Sequence, residues 1–544
     1  MKNNSVIYIY IVCYALSFFL PIHLLWFYYN PAWFPLRSYF ASIPLTLTLL
    51  LPAFYLCRFS KIWLVVVYPF FMLTVIFSGM HVYYYHTIIS AQSFFAIMET
   101  SMAEAKEFLQ SQFSFGALRF FLGLFFLPSF FLYKLLKMSF SAKKHYVFYG
   151  LCIQLCIIYA LIGQHRFLRD HQMWGIYNSY VSYKKISEEA DKYFETIKQV
   201  PIENVYDNLQ DTPRTLVVVF GESSNRHHWS LYQYHRETNP LLAKIKDELF
   251  VFQNLVSAFA TTQENISAIL TFDTYENYPN FPLINILQAL GYHVSWLSNQ
   301  NTTEVRSIFH SILSADEYKS INHGGEQIYL HSYDENLLQE LTQILQQTQY
   351  KKKVIFIHTM GSHVNYAARY PNEFEKFTET SDIPKASWRK GKALSYINHY
   401  DNSIVYTDYV LHEMINLLRD KPNSALLYLS DHGEEVYDST NTHGHSNHLL
   451  SNYYVDIPMF FWLSEDFKNL IGEEKLDFWR SSLDKTFATD ITELIIADML
   501  NLKIENVPRQ EDNPFSHSYK KRDRIIYGVN YDEKYVRNAV NKSE

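Results

Sequence analysis

Leu216-Val217-Val218-Val219-Phe220 is an apolar run that stops at Gly221-Glu222-Ser223-Ser224, and the run Ala425–Leu429 stops in the same way at Ser430-Asp431-His432-Gly433-Glu434. Short apolar runs that end at charged residues are typical of the central strands of an α/β sheet. Ligand sites in such sheets form just beyond the carboxyl ends of the strands. A glutamate, an aspartate and a histidine brought together there would bind a divalent cation. Their mixed oxygen and nitrogen donors favour Zn²⁺ or Mn²⁺ over Ca²⁺.

Further apolar runs alternate with helical patterns through the second half of the chain. This alternation predicts a mostly parallel sheet that is flanked by helices on both faces. The predicted strands are 216–220, 249–253, 293–298, 354–358, 425–430 and 457–463, and the predicted helices are 283–290, 334–347 and 401–419. We therefore predict an α/β domain over residues 213–544.

The first 165 residues are rich in apolar segments that are long enough to cross a membrane. Each of five segments approaches the roughly 20 residues that span a bilayer. The predicted spans are 6–28, 39–57, 62–85, 115–136 and 146–164. The first is too long, and too closely followed by others, to be a cleaved signal peptide. We predict a bundle of five transmembrane helices over 1–165, followed by a linker over 166–212 along the membrane surface.

Basic residues indicate the orientation of these spans. If the five spans alternate, the basic residues fall on one side, which the positive-inside rule assigns to the cytoplasm. They are Lys2, Arg58, Lys61, Lys134, Lys137, Lys143 and Lys144. The fifth span then exports the α/β domain, to the periplasm of a Gram-negative bacterium or to the exterior of another cell.

The composition excludes several functional classes. All the cysteines lie in or at the ends of the predicted spans, so the exported domain has neither a disulfide nor a thiol nucleophile. They are Cys13, Cys57, Cys152 and Cys156. A formal net charge of −7 argues against a nucleic-acid partner. A transporter is disfavoured because the spans contain almost no ionisable residues.

Histidines and hydroxyls supply further candidates near the predicted site. His358 and His363 follow another predicted strand, and His443, His445 and His448 occupy a glycine-containing loop that can present imidazoles to a metal or a phosphate. We expect His448 to be solvated. A hydroxyl becomes a nucleophile when a cation lowers its pKa. The candidates by position are Ser223, Ser224, Thr261 and Thr262.

Taken together, four motifs resemble those of the membrane-bound phosphoethanolamine transferases, which share the fold of alkaline phosphatases and sulfatases. The motifs are Gly221-Glu222-Ser223-Ser224-Asn225-Arg226, Ser230-Leu231-Tyr232-Gln233-Tyr234-His235-Arg236-Glu237-Thr238-Asn239-Pro240, His358-Thr359-Met360-Gly361-Ser362-His363 and Ser430-Asp431-His432-Gly433-Glu434-Glu435. The nucleophile of this family is a threonine in a loop that opens a helix, and the matching segment here is 257–266. The resemblance implies Thr262 as the nucleophile, with Thr261 as the alternative.

The resemblance also implies the remaining site residues. It assigns the zinc ligands to Glu222, Thr262, Asp431 and His432. It assigns contacts with phosphate, or with a second metal, to His363 and to one of His445 and His443.

The implied reaction is the transfer of phosphoethanolamine from phosphatidylethanolamine to an envelope glycolipid or glycan. The acceptor would be lipopolysaccharide lipid A, its core or a glucan, and the group would pass through a phosphothreonine-type intermediate. The enzyme would be a monomer in the bacterial inner membrane with its catalytic domain in the periplasm. A phosphoglycerol transferase of the same superfamily is the alternative, and a catalytically inactive membrane scaffold is the alternative from another class. A sulfatase that uses formylglycine is disfavoured because no Cys/Ser-x-Pro-x-Arg motif surrounds residue 262.

Overall fold

The computed structural model describes residues 2–29, 50, 59–85, 106, 114–138, 176–185, 188, 204–271, 283–300, 312, 314–322, 332–446, 451–505 and 509–537. They divide into two units, one drawn from residues 1–99 and 112–187 and the other from residues 100–111 and 188–544.

The first unit contains three long helices, α1 (Lys2–Tyr29), α2 (Ser60–Tyr85) and α3 (Phe115–Leu136), and a helix over 176–185. The three long helices coincide with the first, third and fourth predicted spans. Within the described ranges, α2 over Ser60–Tyr84 and the whole of α3 are long and apolar enough to cross a membrane, whereas the apolar part of α1 is the shorter Ile9–Phe18. The predicted spans 39–57 and 146–164 lie outside the described residues apart from Leu50. The number of five spans therefore remains a prediction.

Aromatic and aliphatic side chains hold these three helices together. Phe18 of α1 packs against Phe71 of α2, with ring centroids 4.9 Å apart, and Leu124 of α3 is buried in the same cluster. Other large apolar side chains, such as Phe70 and Phe126, remain exposed on the outer faces. Exposed apolar surface of this kind is typical of helices that face lipid.

The second unit is built on a seven-stranded sheet. Its strands are β1 (Arg214–Gly221), β2 (Leu249–Val251), β3 (His293–Ser298), β4 (Glu317–Ser320), β5 (Lys352–His358), β6 (Ser424–Ser430) and β7 (Met459–Leu463). Their order across the sheet is β2-β7-β6-β1-β5-β3-β4. Strand β7 is antiparallel to both of its neighbours, and the other six strands share one direction. All six predicted strands are present, and the sheet is mixed because of β7. The edge strand β4 was not predicted, because its sequence Glu-Tyr-Lys-Ser is polar and half-buried rather than an apolar run.

Helices cover both faces of the sheet, as predicted. They are α4 (Pro240–Lys244), α5 (Thr262–Leu270), α6 (Leu283–Ala289), α7 (Asn336–Leu345), α8 (Lys392–Arg419), α9 (Glu465–Ile471), α10 (Glu473–Ser482) and α11 (Thr492–Met499). Leu216, Val218 and Phe220 of β1 belong to the hydrophobic core with α6 and α11, whereas Val217 and Val219 belong to the core with α7 and α8. Because β1 is buried on both faces, its segment Leu216–Phe220 is continuously apolar rather than alternating.

Short strand pairs complete the unit. Val205–Asp207, which lies within the predicted linker, pairs with Leu502–Ile504, and Leu255–Val256 pairs with Phe487–Ala488. Two hairpins follow later in the chain. They are formed by Glu435–Val436 with His443–Gly444, and by Ile525–Ile526 with Val529–Asn530.

Candidate active site

The carboxyl ends of three neighbouring parallel strands bring the predicted metal ligands together. Phe220 of β1 lies opposite His358 of β5 and Leu429 of β6. The backbone N–H of Asp431 donates to the carbonyl oxygen of Gly221 at 2.8 Å, which extends the pairing one residue beyond the strands. Glu222 and Asp431 therefore leave adjacent strands side by side.

A tight turn after β5 packs against the backbone of Glu222 and supports it. The backbone N–H of Ser362 donates to the Glu222 carbonyl oxygen at 2.9 Å, and the buried carboxylate of Asp334 accepts from the N–H groups of Met360 and Gly361 at 2.8 and 2.9 Å. Gly361 has φ of +48°, and a Cβ atom there would lie 2.8 Å from the backbone nitrogen and oxygen of Glu222. A side chain at this position would displace the backbone that presents Glu222.

Ser223 connects the two acidic side chains. Its backbone N–H donates to Asp431 Oδ1 at 3.0 Å, and its hydroxyl donates to Glu222 Oε1 at 2.7 Å. Ser223 is fully buried and has φ of +56°, which is uncommon for a residue with a side chain. Tyr400 holds this backbone in place because its hydroxyl donates to the Ser223 carbonyl oxygen at 2.7 Å.

Thr262 is the first residue of α5, and its hydroxyl contacts Glu222 and His432. Its Oγ1 lies 3.2 Å from Glu222 Oε2 and 3.3 Å from His432 Nε2. The neighbouring Thr261 hydroxyl instead donates to Glu264 Oε2 at 2.8 Å. Asn265, one turn along the helix, ties α5 to the site because its side-chain N–H donates to the carbonyl oxygen of Asp431.

The donor atoms around this point have the chemistry of a cation site. His432 Nδ1 lies 2.8 Å from the Gly433 carbonyl oxygen, which can only accept a hydrogen bond. The proton is therefore assigned to Nδ1, and Nε2 is the nitrogen that could bind a metal. This Nε2 lies 3.4 Å from both Glu222 Oε1 and Asp431 Oδ2. Asp431 Oδ2 is buried and accepts no hydrogen bond from the residues that the structure describes. A bound cation would satisfy a buried carboxylate oxygen of this kind.

The electrostatics of the three ionisable groups agree with this geometry. Burial, and then the negative charge of Glu222, raise the pKa of Asp431 to about 6. Burial would lower the pKa of His432, but Asp431 and Glu222 outweigh it and raise that pKa to about 10. Burial would raise the pKa of Glu222, yet the nearby imidazoles of His358 and His432 hold it well below its usual range. Two buried carboxylates therefore attract positive charge to this point.

The loop that contains His443 and His445 places His445 beside His432. Its ring centroid is 3.9 Å from that of His432, and its Nδ1 lies 2.6 Å from Glu434 Oε2. His432, Glu434 and His445 form a second group whose ligand atoms converge. In contrast, the contacts of His443 include a 3.1 Å hydrogen bond to the Tyr437 hydroxyl, and burial lowers the pKa of His443 to about 4.

The end of β5 and the turn after it bring two further histidines to the site. His363 Nδ1 is buried and makes no hydrogen bond to a described residue, and the charge of this histidine contributes to the low pKa of Glu222. His358, which sequence reasoning noted but did not assign to the site, has Nε2 3.7 Å from Glu222 Oε2. Its position at the exit of a buried strand was the available signal. Asn265 had no such signal, because nothing local distinguishes it from other polar residues of an amphipathic helix. His448 lies outside the described residues.

The sulfatase family model matches residues 214–492, which include all of these strand ends. The chain belongs to the sulfatase family. Phosphoethanolamine transferase EptC of Escherichia coli (strain K12) is 31% identical to this sulfatase-family chain over 331 residues, which cover 58% of this chain and 55% of EptC. EptA of the same strain is 32% identical over 265 residues, 46% of this chain and 47% of EptA. The chain thus spans about half the length of the curated relatives it matches. These relatives confirm the resemblance that the motifs indicated.

Solved structures agree with the fold. The C-terminal periplasmic domain of E. coli EptC, crystallised in complex with Zn, is 30% identical and matches with a TM-score of 0.56, covering 62% of this chain and 95% of that domain. The integral membrane protein lipooligosaccharide phosphoethanolamine transferase A (EptA) from Neisseria meningitidis has a TM-score of 0.61 at 19% identity, covering 84% of this chain and 87% of EptA. The prediction of an alkaline phosphatase and sulfatase-like α/β domain is confirmed.

Proposed function

We propose that this chain transfers phosphoethanolamine from phosphatidylethanolamine to an envelope glycolipid or glycan, through a phosphothreonine-type intermediate on Thr262. The observation that carries the proposal is the position of the Thr262 hydroxyl, 3.2 Å from Glu222 and 3.3 Å from His432 at the start of α5. The E. coli relatives named phosphoethanolamine transferases support this reaction over others of the superfamily. Lipid A, the lipopolysaccharide core and glucans are the proposed acceptors.

Zinc is the proposed cofactor, with Mn²⁺ as a possible substitute. Glu222, Thr262, Asp431 and His432 would hold it, because the buried Oδ2 of Asp431 and the Nε2 of His432 lie 3.4 Å apart beside the Thr262 hydroxyl. Three oxygen donors and one imidazole nitrogen suit zinc. The Zn-bound E. coli EptC domain supports this choice. When bound, the ion supplies Lewis acidity, which lowers the pKa of a hydroxyl and neutralises phosphoryl oxygens.

In the first half of the proposed reaction, the Thr262 hydroxyl gives its proton to solvent, and its oxygen attacks the phosphorus of phosphatidylethanolamine. The bond from phosphorus to the glycerol oxygen breaks, and diacylglycerol leaves with a proton delivered by His363 or His445. The free N–H groups at the start of α5 support the phosphoryl oxygens. In the second half, an acceptor hydroxyl or phosphate attacks the phosphothreonine and the bond from phosphorus to the Thr262 oxygen breaks. That oxygen takes up a proton from the acceptor hydroxyl or from solvent.

We also propose where this reaction takes place. The chain would sit as a monomer in the bacterial inner membrane, crossing it several times, with the α/β domain in the periplasm. The apolar helices α2 and α3 support a membrane location. Two of the structural matches support this placement, since one is an integral membrane protein and the other is a periplasmic domain.

The experiment uses the full chain purified in detergent and phosphatidylethanolamine with a fluorescent acyl chain. Release of diacylglycerol is measured with and without a metal chelator, for the wild type, Thr262→Ala and the matched control Thr261→Ala. We expect release of diacylglycerol to require both metal and Thr262. The wild type and Thr261→Ala should form a covalent phosphoethanolamine adduct that is visible by mass spectrometry, whereas Thr262→Ala should not. Full activity of Thr262→Ala would overturn the assignment of the nucleophile.

The same assay separates the alternatives. Cleavage of phosphatidylglycerol in place of phosphatidylethanolamine would assign the chain to the phosphoglycerol transferases. If the protein is folded and loaded with zinc but cleaves neither lipid, the remaining alternative is a catalytically inactive membrane scaffold.

A further inference from the structure

The C-terminal hairpin has an unusual residue at its turn. Ile525–Ile526 pairs with Val529–Asn530, and the two turn residues Tyr527 and Gly528 have φ of +49° and +76°. Two-residue turns in which both residues have positive φ favour Asn-Gly, because a bulky side chain is strained in the left-handed region. A tyrosine at the first position therefore indicates that contacts of its side chain offset the strain of this backbone conformation.

The Tyr527 hydroxyl ends at the segment that carries Thr262. It donates to Glu264 Oε2 at 2.5 Å and accepts from the backbone N–H of Ala260 at 3.1 Å. It thus binds the chain two residues before Thr262 and two residues after it. Burial and the charge of Glu264 raise the pKa of Tyr527, so its hydroxyl keeps the proton that it donates.

The start of α5 needs such an external support. A residue at the N-cap position ordinarily accepts a hydrogen bond from a backbone N–H of the first turn. Thr261 occupies this position, but its hydroxyl donates to the same Glu264 oxygen and caps no backbone N–H among the described residues. The first turn of α5 is therefore oriented by Glu264 and, through it, by Tyr527.

The hairpin is itself firmly attached to the domain. Arg524 forms a buried ion pair with Asp532, and its guanidinium donates to the carbonyl oxygen of Asn254 at 2.9 Å. The hydroxyl of Tyr531 donates to the buried carboxylate of Asp456. These contacts fix the hairpin beside the segment that leads into α5, so Tyr527 holds that segment from a rigid support.

We propose that Tyr527 is a positioning residue for Thr262. Through Ala260 and Glu264 it orients the first turn of α5 so that the Thr262 hydroxyl meets Glu222 and His432. The catalytic consequence rests on the proposed function, whereas the orientation of α5 does not.

The test compares Tyr527→Phe, which removes one hydroxyl, with Tyr535→Phe. Tyr535 is a matched control from the same C-terminal segment, because its buried hydroxyl has no hydrogen-bond partner among the described residues. Both variants are made in the full chain and studied in detergent. Hydrogen exchange of the amides of residues 260–265 reports the order of the helix start, and lipid cleavage gives kcat and KM.

We expect Tyr527→Phe to speed exchange at residues 260–265 and to lower kcat about 10- to 100-fold, the range expected when a reacting group is slightly misplaced. KM should stay within about twofold, because the hydroxyl contacts the enzyme and not the lipid, and Tyr535→Phe should match the wild type in every measurement. A kcat of Tyr527→Phe within twofold of the wild type would overturn the catalytic role. Unchanged exchange would overturn the proposal whatever the lipid chemistry.

A double-mutant cycle tests the route through Glu264. If Tyr527 acts on Thr262 through that carboxylate, Tyr527→Phe combined with Glu264→Gln should lose no more kcat than the more impaired single variant. Strictly additive losses would contradict this route. If the wild type cleaves no lipid, the proposed function fails by itself, and the exchange measurement still decides whether Tyr527 orients α5.

Discussion

Gly361→Ala should uncouple Glu222 from the turn that supports it. The added Cβ would lie 2.8 Å from the backbone nitrogen and oxygen of Glu222 and 3.2 Å from its Cβ. Two of these contacts are with backbone atoms that cannot rotate away, so the strand end that presents Glu222 must shift. The turn would also have to hold alanine at φ of +48°.

The size of the effect follows from these two contributions. Left-handed backbone costs an alanine about 1–2 kcal/mol, and forcing an extra methyl into a packed site costs about 1–3 kcal/mol. Gly361→Ala should therefore destabilise the domain by about 2–5 kcal/mol. Gly291→Ala is a matched control, because Gly291 has φ of +80° but its nearest neighbour to a Cβ is Lys352 Nζ at 3.7 Å. It should lose only the backbone contribution of about 1–2 kcal/mol.

Thermal unfolding of the full chain in detergent, followed by zinc titration, checks both consequences. At about 2 °C per kcal/mol, the melting temperature of Gly361→Ala should lie about 2–6 °C below that of Gly291→Ala. Because Glu222 is a proposed zinc ligand, moving it should also weaken zinc binding about 10- to 100-fold, with no change in Gly291→Ala. Equal melting temperatures and wild-type zinc affinity would refute the role assigned to this turn.

Two other changes test buried polar contacts. The ring nitrogens of His228 lie 2.5 Å from Asp401 and 3.1 Å from Asp438; burial would lower the pKa of His228, but the two carboxylates raise it to about 10. The stabilisation from its positive charge is therefore complete below pH 6.5 and is lost as the pH rises through 10. Thermal unfolding should show that the difference in unfolding free energy between the wild type and His228→Gln shrinks by up to about 5 kcal/mol over that window. Ser223→Ala removes the hydroxyl that donates to Glu222 at 2.7 Å, and calorimetric titration should show zinc binding weakened about 10- to 100-fold.

Each of these two predictions has a result that would contradict it. Ser257→Ala is the control for Ser223→Ala, because the Ser257 hydroxyl is buried and has no hydrogen-bond partner in the described part of the chain. Identical zinc affinities of the two serine variants would exclude a positioning role for Ser223. A gap between the wild type and His228→Gln that stays constant from pH 6.5 to 10 would exclude a charged His228.

Much of the α/β domain could be predicted from local sequence. The strands β1, β5 and β6 each contain a continuous apolar run because they are buried on both faces, and such runs are visible without knowledge of their neighbours. The placement of Glu222 and Asp431 side by side followed from one rule, that parallel strands share a carboxyl edge. The polar edge strand β4 and the reversed direction of β7 had no comparable local signal.

Local sequence left open the choice between adjacent hydroxyls and between nearby histidines. Thr261 and Thr262 are chemically alike, and the point at which α5 begins decides that Thr262 lies against Glu222 while Thr261 lies against Glu264. His443 and His445 likewise differ by two residues, and the chain path after the hairpin decides that His445 lies against His432.

The sequence by itself determined that this chain has an α/β domain with acidic and histidine side chains at its strand ends. It also determined that its motifs resemble those of the phosphoethanolamine transferases. Only the tertiary structure decided which hydroxyl and which imidazole meet those side chains, and that Tyr527 reaches Glu264 from more than 260 residues away. The physical reason is that burial and periodicity act along the chain, within a few residues, and leave a trace in composition. The direction of a single side chain depends on backbone register and on contacts with residues far along the chain, which local composition does not record.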